Sequence, residues 1–441
     1  MGKQRVSFLS DFVEAITRRE RWKPDAGADA TTLALSRPAS ERVEAACAVL
    51  MGHIGDASRV AVAEQALTAY AELEDDGKLA FFRLLRDSYG VRAEPIREAY
   101  AAWEAAPDAG AVARLFAATE PRRQALLRHL NLAPGATKAL VRMRADLLDA
   151  IRKDRSLAPV DADFAHLFAS WFNRGFLTMR HIDWSTPASI LERIMAYESV
   201  HPMAGWHDLR RRLAQEDRRL YAFFHTATEE EPLIFVEVAL TRGVPETIGA
   251  ILEAPVPTEP VEADTAVFYS INNSLPGLKG VSFGNFLIKQ VAADLSRDLP
   301  QLKTFVTLSP APGFAAWLAA QEDDRAQALD VALKDGSWRS DPAREAALKP
   351  EVAALAARYF VEARDGRNRP VDPVARFHLG NGASAWRVNW PADLSPGALS
   401  RAHGLMINYL YELGAVETQH EAHVREGTIA HGPSLAAALA E

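Results

Sequence analysis

The chain has 441 residues, roughly two or three domains' worth, and a balance of 48% hydrophobic to 24% charged side chains excludes disorder over most of that length. Its 58 acidic against 50 basic side chains leave a formal charge of -8, which excludes coating of nucleic acid but permits a local basic pocket for an anionic ligand. One cysteine, Cys47, excludes an intrachain disulfide framework and a cysteine-based zinc site, and fits a reducing compartment.

The N-terminus opens with basic residues, but Asp11 and Glu14 interrupt the apolar stretch that a signal peptide needs. From there to about residue 190 the pattern is helical. Phe81, Leu84, Leu85 and Tyr89 share a face, and Gly90 follows where a helix stops. Ile96, Tyr100 and Trp103 make a second stripe. Leu140, Met143, Leu147 and Ile151 make a third, after the breaker Ala133-Pro134-Gly135. Stripes of this kind predict a bundle core or a helix-helix interface rather than a ligand site.

Strands are predicted from about residue 215: Leu220 to His225, Leu233 to Thr241, Ala266 to Ile271 and Phe305 to Leu308. Between the last two, Leu287, Ile288, Val291 and Leu295 lie on one helical face, so strand, helix and strand read as a βαβ unit. Helix returns at about 343 to 364 and strand near Ala385 to Trp390, with a Pro-rich surface loop at 254 to 260. Glu237, inside a strong strand, reads as a buried carboxylate or, as the favoured reading, as facing solvent or forming a structural pair. The apolar run Leu233 to Leu240 is too short to span a bilayer, and the C-terminus carries no peroxisomal address, so a soluble cytoplasmic protein is expected.

Three segments could carry chemistry. Lys279, Gly280, Val281, Ser282, Phe283, Gly284 and Asn285 follow a strand and open a helix. Glycines there let the backbone approach a ligand, amides at the helix start face an anion such as a pyrophosphate, and Lys279 adds a charge. A tight turn with a capped helix fits the same residues. Ser309, at the end of the next strand, stands where open α/β sheets collect ligands; as a serine before Pro310 it equally reads as a helix start. No Gly-x-Ser-x-Gly elbow surrounds it. His378 lies among apolar neighbours before Gly380-Asn381-Gly382, either a hydrogen-bonded core residue or an acid or base suited to neutral pH. The other histidines lack metal-ligand spacing, and His420 with His423 lacks a third ligand, so no metal is expected.

Together these segments resemble the malonyl-CoA decarboxylase family. The matching blocks are His201-Pro202 with Trp206, Ala222 to His225, Glu231 to Thr241, Phe268 to Ile271, Phe286 to Lys289, Leu308-Ser309-Pro310 and Pro312-Gly313-Phe314. Phe377-His378-Leu379, Asn381-Gly382-Ala383 and Gly404-Leu405-Met406 with Asn408-Tyr409 resemble its C-terminal blocks. The likeness is specific after about residue 200 and looser before it.

The resemblance implies an α+β, multi-domain chain: an all-α helical bundle used in oligomer assembly over residues 1–190, then a GNAT-like mixed-sheet α/β catalytic domain over 191–441. It implies malonyl-CoA as substrate, its CoA pyrophosphate held by Lys279 to Asn285, and a homo-oligomer, dimer or tetramer, with no nucleic-acid or membrane partner. Ser282 departs from relatives that carry a glutamate there, removing any chemistry assigned to that carboxylate. Ser309 and His378 are the implied catalytic pair, with Tyr409 and Ser270 as candidates to position them. No cofactor is expected, because the thioester is the electron sink. Rival readings are a GNAT-like acyltransferase using the same CoA loop and a CoA-sensing scaffold without catalysis.

Overall fold

The computed structural model describes residues 37–228, 230–255, 262–281 and 287–440. The N-terminal stretch read for targeting, positions 256–260 of the Pro-rich loop, and Ser282, Phe283, Gly284 and Asn285 lie outside the described residues. The chain divides into two compact units, Met1–Phe164 and Ala165–Glu441.

The first unit is helical, with helices at Ala39–Leu50, Asp56–Ala71, Asp75–Asp87, Ala93–Ala105, Ala109–Thr119, Arg122–Leu130 and Ala136–Lys153. Phe81, Leu85 and Tyr89 are buried, as are Leu140, Met143 and Leu147, because residues three and four apart share a helix face. The middle stripe behaves differently: the helix Ala93–Ala105 buries none of its residues. Cys47 is buried in this unit, and burial pushes its thiol up to about 12.

In the second unit, helix does not persist to residue 190. Leu177–Ile182 is a strand, β1, antiparallel to β2 (Arg218–His225). It is the sheet's edge, and of its six residues only Ile182 is buried; Leu177 and Met179 alternate with exposed Thr178 and Arg180, too short a run to mark a strand in sequence. β3 (Pro232–Thr241), β4 (Thr265–Asn273), β5 (Thr304–Thr307), β6 (Ser309–Pro310), β7 (Ser384–Asn389) and β8 (Met406–Leu410) complete the sheet. Its order is β1-β2-β3-β4-β5-β8-β6, with β7 beside β8. β4 and β5 are parallel, joined through the helix Leu287–Asp298, which buries Leu287, Ile288, Val291 and Leu295. The other pairings are antiparallel, so the unit is a mixed-sheet α/β domain, as the resemblance implies.

β5 pairs with β8 through Val306 and Leu410, and β6 continues along β8 with Ser309 opposite Ile407 and Pro310 opposite Met406. Glu237 does not face solvent. It is fully buried on β3 and paired with Arg212, whose Nη1 lies 3.0 Å from its Oε2; burial still pushes the carboxyl up to about 8. Among the described residues no helix is long and apolar enough to cross a membrane.

Candidate active site

Ser309 stands just past the carboxyl end of β5, in β6, paired with Ile407 of β8. The helix that follows begins at Phe314 with Gly313 in the N-cap position, so Ser309 does not cap it. His378 lies in the last turn of the helix Pro373–Gly380. Asp372 starts that helix: Oδ1 accepts from the Val374 and Ala375 amides, both at 2.8 Å, and Oδ2 accepts the Tyr359 hydroxyl at 2.8 Å. Tyr359 comes from a π-helical turn, Arg358–Glu362, and passes over Gly313, where an added Cβ would sit 2.5 Å from the phenol oxygen. Gly382, at φ +79°, closes the turn after His378; a Cβ there would meet the Val416 carbonyl oxygen at 2.1 Å.

These constraints bring the Ser309 Oγ to 3.1 Å from His378 Nε2, while Nδ1 lies 2.8 Å from the Tyr411 hydroxyl. The Ser309 hydroxyl donates to Thr307 Oγ1 at 2.9 Å, and the same oxygen accepts the Tyr409 amide at 3.0 Å. The Tyr409 ring stacks on the imidazole, centroids 4.5 Å apart and planes 24° from parallel. Tyr409 therefore meets His378 through its ring; its hydroxyl has no hydrogen-bond partner among the described residues.

Burial sets the charge state. With water excluded, His378 is pushed down to about 3 and the Tyr411 phenol well above its ordinary value, so both are neutral near pH 7. A neutral imidazole donates from one nitrogen and accepts at the other. If Nδ1 carried the hydrogen, the Tyr411 proton would be buried with no acceptor among the described residues, which costs roughly 1–3 kcal/mol. Tyr411 therefore donates to Nδ1, Nε2 carries the hydrogen and points it at Ser309 Oγ, and the serine passes its own proton to Thr307.

Ser270 is not part of this chain. Its hydroxyl donates to Glu198 Oε2 at 2.8 Å and accepts from Asn272 Nδ2 at 2.7 Å. The cause is a bulge: Glu237 pairs with Ser270 but Val238 pairs with Phe268, leaving Tyr269 as the extra residue of β4. Beyond it Tyr269, Ile271 and Asn273 face the site, and Ser270 is turned away. Tyr411 is the residue that sequence reasoning missed. Its signal was the alternation of Asn408-Tyr409-Leu410-Tyr411, which puts both tyrosines on one face.

Ser309 and His378 form part of the wall of a cavity of about 590 Å³, lined otherwise mainly by apolar side chains such as Phe268, Ile271 and Phe377. Gly280 and Val281 of the glycine-spaced turn line it too, Gly280 at φ +76°. Lys279 precedes them, its amide hydrogen-bonded to Pro276 O at 3.0 Å. Among the described residues no group of three histidine, cysteine or acidic side chains is placed to hold a metal ion.

Fold and site together define a mixed-sheet α/β domain with a buried tyrosine–histidine–serine hydrogen-bond chain in the wall of a largely apolar cavity, preceded by a helical module. Residues 175–441 match the malonyl-CoA decarboxylase C-terminal domain, and residues 89–172 match its N-terminal domain. The chain belongs to the malonyl-CoA decarboxylase family. It is 35% identical over 333 residues to the mitochondrial malonyl-CoA decarboxylase of Mus musculus, covering 68% of this chain and 67% of that protein. The Anser anser anser protein of the same name is 34% identical over 337 residues, 69% of this chain and 66% of its own length. Among solved structures, malonyl-CoA decarboxylase from Rhodopseudomonas palustris superposes with a TM-score of 0.86 at 48% identity, covering 90% of this chain and 98% of that one. The Agrobacterium vitis enzyme gives 0.85 at 49% identity, covering 90% and 100%.

Proposed function

We propose that the protein decarboxylates malonyl-CoA to acetyl-CoA and carbon dioxide, with Ser309 and His378 at the reacting atoms. The observation that carries this reading is the buried Tyr411–His378–Ser309 chain in the wall of an apolar cavity, in a chain of this family. Losing carbon dioxide breaks the bond from the alpha carbon to the carboxylate carbon and leaves the electron pair on the thioester as an enolate. A proton must then arrive at the alpha carbon. The thioester carbonyl serves as the electron sink, so the reaction calls for no metal, biotin or pyridoxal.

The hydrogen-bond order supports an acid role for His378. Its Nε2–H goes to the alpha carbon as Tyr411 passes its proton to Nδ1, which keeps the imidazole neutral; once product leaves and water enters the cavity, a solvent proton reaches Nε2 and Nδ1 returns its own to the phenolate. Ser309 turns its hydroxyl from Thr307 to the departing carboxylate and orients it. At rest the serine gives its proton to Thr307 rather than to His378, which favours this route over a covalent acyl-serine. The turn from Lys279 to Asn285 takes the CoA pyrophosphate, and the positive φ of Gly280 suits close backbone approach.

Incubation of the purified protein with malonyl-CoA alone, followed by mass spectrometry of the CoA products, should give acetyl-CoA. Both Ser309→Ala and His378→Asn should lower kcat by roughly 10²–10⁴-fold. Intact malonyl-CoA sinks the reading, and acetyl transfer to an added amine replaces it with an acyltransferase.

A further inference from the structure

Malonyl-CoA carries negative charge at both ends: the carboxylate that must leave, and the phosphates of the CoA handle. Among the described residues lining the cavity, Arg376 is the only one bearing a full charge at neutral pH, His378 being neutral there. Arg376 and His378 share the helix Pro373–Gly380 but lie two residues apart, about 200° around the axis. The buried face of that helix carries His378, whereas Arg376 is partly exposed, beside Pro373 and Gly380. The arginine is therefore at the rim, and the imidazole is inside.

Its guanidinium is held there. Nη1 donates to the Pro370 carbonyl at 3.0 Å and lies 3.6 Å from Asp365. That carboxylate is engaged more closely by Arg369, at 2.8 Å, while Asp372 has its oxygens engaged by two amides and the Tyr359 hydroxyl. Among the described residues the interior lining offers the substrate carboxylate no cation. That absence serves the reaction: a cation on the carboxylate would stabilise the ground state, whereas the transition state spreads its charge into the thioester.

Building on the decarboxylase reading, we propose that Arg376 binds a phosphate group of the CoA handle at the cavity mouth and is the residue by which the site selects CoA thioesters over shorter malonyl thioesters. Arginine suits this role because its planar fork matches phosphate and stays charged when partly desolvated.

The test compares kcat/KM for malonyl-CoA, malonyl-dephospho-CoA and malonyl-pantetheine in the full chain and in Arg376→Gln and Arg376→Lys. The glutamine keeps a donor for Pro370 and removes the charge; the lysine keeps the charge and loses the fork. In Arg376→Gln the preference for malonyl-CoA over malonyl-pantetheine should fall about tenfold or more through KM, and Arg376→Lys should recover part of it. A preference lost between malonyl-CoA and its dephospho form assigns the contact to the 3′-phosphate; one lost only at malonyl-pantetheine assigns it to the pyrophosphate. An equal loss on all three substrates, or a loss in kcat, overturns the proposal. If the unaltered protein turns over none of the three, the decarboxylase reading itself has failed.

Discussion

His378 has two neighbours that do different things. Tyr409 fixes the plane of the ring by stacking, and Tyr411 fixes which nitrogen holds the hydrogen. Removing only the Tyr411 hydroxyl, in Tyr411→Phe, should lower kcat by roughly 10–100-fold, less than loss of the whole acid. KM should change little, because the phenol lies behind the imidazole; a change confined to KM would contradict the relay. Acidity gives a second check. In the unfolded chain His378 titrates near about 6.5, and in the folded site burial holds it down to about 3. Protonation thus favours unfolding, so this contribution to stability is complete above about pH 6.5 and is lost as pH falls toward 3. Activity carried by a neutral imidazole should show no inflection near pH 6.5 in kcat/KM; an acid limb centred there would place a charged His378 in the resting enzyme. Ser309 and His378 were readable in the sequence through their blocks, but the hydrogen between them was not. Its location depends on Tyr411 and Thr307, which reach the pair from other strands.

The helix Pro373–Gly380 delivers His378, and Asp372 holds its first turn through two amides and the Tyr359 hydroxyl. Asp372→Ala removes an N-cap and strands a buried phenol, which together should cost about 2–4 kcal/mol of stability, measured by denaturant unfolding. A loss below half a kcal/mol would mean that the helix is held by packing alone. The elements of the second unit that were legible are those whose side chains follow one period. The helix Leu287–Asp298 shows a single apolar face, and β2 to β4 are rich in aromatic and β-branched residues. β1 was hidden by its exposed edge position, and the bulge at Tyr269 was hidden because a single extra residue leaves composition unchanged. That bulge is why Ser270, plausible by its place in a matching block, faces Glu198 instead of the cavity.

The hairpin of helices Ala93–Ala105 and Ala109–Thr119 leaves Tyr100 48% and Phe116 78% exposed. The self-association expected from the resemblance can be tested at these two side chains. Tyr100→Glu with Phe116→Glu should lower the mass measured by light scattering while helical circular dichroism is retained; an unchanged mass places the assembly surface elsewhere. The amino-acid pattern alone determines a helical module followed by a mixed sheet and the βαβ unit of β4, Leu287–Asp298 and β5, and it carries the local blocks around Ser309 and His378, the proposed reacting groups, since periodicity and short local blocks are properties of neighbouring residues. What lies between strands far apart in sequence was settled only by tertiary structure. Thr307, His378 and Tyr411 are separated by up to 104 residues, and the hydrogen bonds that order their protons exist only when β5, β6, β8 and the His378 helix meet. Burial belongs to the same class: Glu237 inside the sheet and a neutral His378 follow from the exclusion of water by the whole fold, which no local stretch of sequence can effect.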